Sequence, residues 1–152
     1  MGKVAIVMGS AKDRGAMEGA TRMLEAFSVP FDVEVLSAHR EPDAVFDFAA
    51  GAAERGYSVI IAGAGKAAHL AGLMAAKTTL PVIGVPLSAS LQGLDALLST
   101  VQMPTGVPVA TVGIDASANA ALLAVEILAL GDGDLADKLV RYRQTLAEEA
   151  AT

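Results

Sequence analysis

The sequence contains no cysteine and no tryptophan, and only two histidines. Without cysteine there is no disulfide, no thiolate zinc centre and no cysteine nucleophile. Aromatic residues make up 4% and charged residues 18% of a chain that is 53% hydrophobic, so its core has to be built from Ala, Val, Leu and Ile. Such a composition belongs to a folded globular chain, and 152 residues suit one domain, spanning 1–152, with one core. Positive charge is scarce as well. A net charge of −6 argues against sequence-independent nucleic-acid binding, which needs a basic footprint, but a small anion can still bind where a few cations converge. The most apolar stretch, "AALLAVEILAL", is interrupted by Glu126 and reads as a helix, not a membrane span. The apolar run before Gly9-Ser10 is too short for a signal-peptide core. A cytoplasmic protein that engages neither membrane nor nucleic acid is expected. The apolar excess predicts a homo-oligomer, because subunit contacts would cover what one small domain cannot.

What is present alternates. "VAIVMG" (4–9) is a continuous apolar run ended by glycine, the pattern of a strand buried on both faces. Met17, Ala20, Leu24 and Phe27 then recur at helical spacing. "FDVEVL" (31–36) predicts a second strand, and Pro42 opens a helix through "AVFDFAAGAAE". "YSVIIAG" (57–63), "PVIGVP" (81–86) and "VPVATVGI" (107–114) predict three more strands. Helices are expected over "AAHLAGLMAAK", "GLDALLSTVQ", most of 117–130 and "LADKLVRYRQTLAEE", the last two separated by "GDGD" (131–134). Five strands alternating with helices call for an α/β protein with a parallel sheet and helices on both faces. Ligands of such sheets bind outside the carboxyl ends of the strands.

Most of the conspicuous residues follow strands: "GSAKD" (9–13), "SAHREPD" (37–43), "GAGKAAHLAG" (63–72) and "PLSASLQG" (86–93). Both histidines therefore fall on one rim. "VIIAGAGKAAHLAG" (59–72) invites a phosphate-loop reading and fails it. The Walker pattern needs a glycine where Ile60 stands and a hydroxyl where Ala67 stands. Gly63, Gly65 and Ala68 formally match a dinucleotide fingerprint, but no acidic residue lies about 20 positions on to hold a ribose. The glycines are expected to let backbone approach a flat ligand, with amides at a helix start as donors. Ser10, Ser37 and Arg40 offer two hydroxyls and a guanidinium, a set suited to a phosphate monoester. Asp13 suits either ribose hydroxyls or the N-cap of a helix. His39, between Ser37 and Arg40, is the natural general acid/base. No spaced His/Asp cluster suggests a metal, and no Gly-x-Ser-x-Gly elbow suggests a serine hydrolase.

The strings "GSAKD", "SAHREPD", "IIAGAGKAAHLAG", "AAKTTLPVIGVP", "GLDALLSTVQMPTGVPVATV" and "NAALLA" occur in this order. Together they resemble the bacterial N5-carboxyaminoimidazole ribonucleotide mutase family of de novo purine synthesis, over about residues 4–130. The resemblance implies a flavodoxin-like three-layer αβα sandwich with a five-stranded parallel sheet, and a homo-octamer with sites at subunit contacts. It implies a cofactor-free isomerisation of a nucleotide substrate, in which a carboxylate moves from N5 to C4 of the aminoimidazole. By matching motif, Ser10, Ser37 and Arg40 would hold the phosphate and Asp13 the ribose. Ala38, Gly65, Ala67 and Leu70 would line the base pocket. His39 would carry the proton, and His69 would stand beside it as an orienting group. The C-terminal helix, about 134–152, is expected to pack on a neighbouring subunit. Lys66 and Ala71 replace the family's usual Gly and Pro, and Lys12 and Glu41 its usual Ser and Thr. Lys66 either faces solvent or reaches a substrate carboxylate or bicarbonate. The latter keeps open a carboxylase acting directly on aminoimidazole ribonucleotide, although Arg40 and His69 favour the mutase. A non-catalytic nucleotide-binding module is the third reading.

Overall fold

Period-two alternation sorts the apolar residues of each strand onto two faces. In the computed structural model, which describes residues 2–152, Val4, Ile6 and Met8 enter one core and Ala5 and Val7 the other. The elements in order are β1 (Lys3–Met8), α1 (Arg14–Ala26), β2 (Phe31–Val35), α2 (Pro42–Ala50), β3 (Tyr57–Gly65), α3 (Leu70–Ala75), β4 (Val82–Leu87), α4 (Leu94–Val101), β5 (Ala110–Thr111), α5 (Ser117–Ala129) and α6 (Gly133–Ala150). The strands pair in parallel in the order β2-β1-β3-β4-β5. This is the flavodoxin-like three-layer sandwich, whose order reverses between β1 and β3.

Met17 of α1, Ala120 and Ala124 of α5 and Leu135 of α6 complete the first core. Val45 and Phe48 of α2 with Leu70 and Met74 of α3 complete the second. α4 lies close on β4, since a Cβ on Gly84 would collide with Thr100. The side chain of Asp132 caps α6 through Leu135 N at 3.1 Å. The helix is tied back to α1 by Lys138 Nζ, which donates to Phe27 O at 3.0 Å, and by an edge-on Phe27–Tyr142 contact.

Three elements are shorter than their sequence patterns. α2 stops at Ala50 instead of running to 54. Gly51 follows it, and Arg55 folds back to donate to the carbonyls of Asp47 and Phe48 at 3.1 and 3.2 Å, capping the end. α3 spans six residues, not 67–77: Lys66 turns left-handed, His69 is the N-cap, and the helix ends at Ala75. β5 has two residues instead of eight. Pro108 has no N–H for a ladder, Val107 N closes a turn onto Pro104 O, and Asp115 has φ +58°.

Candidate active site

At the carboxyl edge β1 and β2 finish in one hydrogen-bonded row with Gly63, two residues before the end of β3. Leu36 N donates to Met8 O at 2.9 Å, and Gly9 N to Gly63 O at 3.1 Å. The loops after β1, β2 and β3 therefore start side by side, at the reversal in strand order.

After β1, Ser10 is extended and its Oγ accepts from Lys12 N at 3.2 Å, capping a single 3₁₀ turn over Ala11–Asp13. Asp13 occupies the N-cap position of α1, yet its side chain makes no capping bond. Of the two roles open to it in the sequence, capping is not the one the carboxylate fills. Burial pushes this carboxyl above its usual value, opposed by a hydrogen bond from the Ser10 backbone.

After β2, the segment 37–41 closes on itself. Glu41 N donates to Ser37 O at 2.8 Å and Arg40 N to Ser37 Oγ at 3.3 Å, while Glu41 Oε2 accepts from Ser37 N at 3.4 Å. The turn buries Ala38 and leaves His39 and Arg40 exposed. Among the described residues Arg40 takes part in no salt bridge, so its guanidinium is free for an anion.

After β3, Lys66 adopts φ +55°, a left-handed turn that suits glycine. The next residues are pegged from α4. Ser99 Oγ accepts from Ala68 N at 2.9 Å and donates back to Asp95 O at 2.8 Å. His69 N is engaged with Ala67 O at 2.9 Å. Ala68 N and His69 N, just ahead of the first turn of α3, thus already have protein partners. The glycines also serve protein packing. A Cβ on Gly63 would strike the sulfur of Met17, and one on Gly65 would lie 2.6 Å from Ala89 Cβ. Close packing of protein fills the Cβ side of both glycines. Ala67 is exposed, Gly65 half-buried, and Leu70 is 1% exposed in the core beneath the loop.

These loops converge on one contact. His39 Nε2 and His69 Nδ1 are 2.6 Å apart, with ring centres 4.8 Å apart and ring planes at 89°. The Lys66 charge is felt by Asp95, whose carboxyl is held below its usual value first by the Ser90 hydroxyl at 2.5 Å and also by that ammonium. The sequence reading missed Ser99, Asp95 and the Ser88–Asp115 pair that ties the β4 loop to the turn before α5. The one available signal was the four-residue spacing of Asp95 and Ser99, which sets them on one face of α4.

The sequence profile of the AIR carboxylase family matches residues 3–149. The N5-carboxyaminoimidazole ribonucleotide mutase of Pyrococcus abyssi is 54% identical over 147 residues, covering 96% of this chain and 84% of that protein. The enzyme of the same name from Escherichia coli strain K12 is 54% identical over 150 residues, covering 97% and 89%. A crystal structure of Treponema denticola PurE superposes with a TM-score of 0.87 at 29% identity, covering 98% of this chain and 94% of the other.

Proposed function

The chain belongs to the AIR carboxylase family, and from that premise we infer its reaction. It is an isomerase of purine biosynthesis that converts N5-carboxyaminoimidazole ribonucleotide to the 4-carboxy isomer. The observation that carries this reading to particular residues is the imidazole pair beside a free guanidinium, two hydroxyls and an uncapped carboxylate.

Ser10, Ser37 and Arg40 hold the phosphate as charge-assisted hydrogen-bond partners, and Asp13 accepts from the ribose. Ala38, Gly65 and Ala67 form the wall against the imidazole ring, with Leu70 packed behind them. Lys66, exposed, borders this wall. His39 donates a proton to N5 as carbon dioxide leaves, then takes the C4 proton once carbon dioxide has added there. One imidazole serves both steps because giving the first proton leaves it a base for the second. His69 orients His39.

Carbon dioxide has to be kept beside the ring between the two steps, which requires an enclosed site. Both imidazoles are exposed on the single chain, so neighbouring subunits complete the enclosure in this reading. Apolar surface is available for those contacts: Leu91 is 74%, Leu94 54% and Leu130 90% exposed. We assign a homo-octamer acting in the cytoplasm, with α6 packed on a neighbour through its exposed Val140 and Leu146. Among the described residues no helix is long and apolar enough to cross a membrane.

The test is an isomerisation assay on purified protein. Conversion of N5-carboxyaminoimidazole ribonucleotide without bicarbonate or ATP is expected. Turnover seen only with aminoimidazole ribonucleotide plus bicarbonate would assign the direct carboxylase instead, and binding without turnover the nucleotide-binding module.

A further inference from the structure

We propose that His69 fixes the tautomer of His39, keeping a proton on His39 Nε2 throughout the reaction so that His39 Nδ1 alone exchanges protons with the substrate. This rests on the reading of His39 as the proton carrier. At 2.6 Å two ring nitrogens can face each other only with a single proton between them, since two lone pairs or two N–H groups would repel. The 4.8 Å between ring centres is about the N–N distance plus one ring radius at each end. The N–N line therefore runs along the in-plane axis of both rings, the direction of an imidazole N–H and of its lone pair. Each ring spends one nitrogen on the contact, leaving His39 Nδ1 and His69 Nε2 as the outer pair.

Proton bookkeeping selects the donor. When the N5–C bond breaks, its electron pair stays on N5 and takes a proton from imidazolium His39. C4 then attacks carbon dioxide with a ring π pair, and His39 accepts the C4 proton while the C–H pair restores the ring. No proton is gained or lost overall. If His69 Nδ1 donated to His39, loss of the outer proton from His39 would leave an imidazolate or force one onto His69. If His39 Nε2–H donates to His69 Nδ1, both states of His39 keep the same hydrogen bond. The bare nitrogen left after the first step is then the one that has just faced the substrate. His69 is thus a positioning residue, held neutral with its own proton on Nε2. Its backbone is fixed next to the peg from Ser99 to Ala68, and the His39 turn is closed by Ser37 and Glu41.

With only two histidines in the chain, imidazole ¹⁵N NMR on histidine-labelled protein reads four nitrogens. At alkaline pH His39 is expected to be protonated at Nε2 and bare at Nδ1. A His39 protonated at Nδ1 overturns the proposal. In the isomerisation assay His69→Ala is expected to lower kcat by about 10²- to 10⁴-fold with KM little changed, the usual size of a general acid/base contribution. His69→Gln, whose amide oxygen can accept from His39, should recover kcat to within about tenfold of the parent. His69→Lys, which offers donors only, should stay as slow as His69→Ala. Unchanged kcat in His69→Ala, or equal recovery by Lys and Gln, refutes tautomer control. His39→Gln separates the two readings: full turnover in it removes His39 as the proton carrier, whereas an inactive His39→Gln beside an active His69→Ala removes only the role of His69.

Discussion

The role of Gly65 can be settled by one pair of substitutions. Its φ is not positive, so alanine can adopt its backbone conformation, but the new methyl would lie 2.6 Å from Ala89 Cβ and 3.4 Å from Leu87 O. Neither neighbour is the end of a flexible side chain. The β4 loop has to shift, against the anchor of Asp115 on Ser88 N at 3.0 Å. Overpacking of this kind costs about 1–3 kcal/mol, which is a fall of about 1 M in urea midpoint at the usual slope. Ala89→Gly removes the clashing methyl and should itself cost about 0.4–1 kcal/mol through added loop entropy. Combined, Gly65→Ala and Ala89→Gly should be about as stable as Ala89→Gly alone, a coupling of about 1–3 kcal/mol, inside the range for contacting residues. The assay is urea unfolding of all four proteins at one fixed protein concentration, with KM measured in parallel. If Gly65 is glycine because a ligand needs its surface, Gly65→Ala will raise KM whether or not Ala89 is present. An unchanged midpoint in Gly65→Ala, or a double variant no better than the single, would refute the packing account.

Three further outcomes follow from the same geometry. Burial raises the Asp13 carboxyl, so its stabilising contribution is complete below the ordinary carboxylate range and is lost as pH rises through the folded value. Asp13→Asn should therefore raise the urea midpoint at pH 7, show no gain near pH 3, and raise KM; a lower midpoint at pH 7 would contradict the first point. At the opposite edge of the sheet, Tyr57 OH donates to Asp32 Oδ2 at 2.6 Å, and burial followed by that carboxylate pushes the phenol from 10.0 to about 12. Its contribution is complete below pH 10 and is lost toward pH 12, so the midpoint gap between the parent and Tyr57→Phe should close over that window; a constant gap would leave the phenol without a role. Lys66→Gly relieves a left-handed lysine, about 1–2 kcal/mol, against about 0.5–1 kcal/mol of added chain entropy. Its midpoint should stay level or rise, and turnover that survives would place the Lys66 ammonium outside the chemistry.

The sequence was most legible where one residue type decides an outcome by itself. Apolar runs ended by glycine marked β1 and β3, and the 3–4 spacing of Met17, Ala20 and Leu24 marked the buried face of α1. Element ends were less legible where a distant or unusual partner set them. Arg55 turns back on α2, Ser99 reaches Ala68 from 31 residues away, and Pro108 starves β5 of a donor. The glycine loop shows the limit most clearly. A glycine in a sequence marks a place where no Cβ fits, but not what fills the space. At Gly63 the filler is Met17 and at Gly65 it is Ala89, neither of them near in sequence.

The histidines are a different case, because the rule that placed them was topological. Strand-end logic puts His39 and His69 on one edge of the sheet, yet that edge is shared by five loops, and nothing in the order of residues says which are neighbours. The deciding fact is that β2 and β3 flank β1, while β1 ends at Met8 and leaves Gly9 hydrogen-bonded to Gly63. The two loops can then meet over the end of the central strand and bring Nε2 and Nδ1 to 2.6 Å. Had β2 paired on the far side of β3 or β4, the same two residues would still have occupied the ligand edge but faced different neighbours. The residue types set which chemistry is possible at this edge. The strand order makes the two imidazoles one unit, which is why the tautomer of His39 is a property of the fold as much as of the residue.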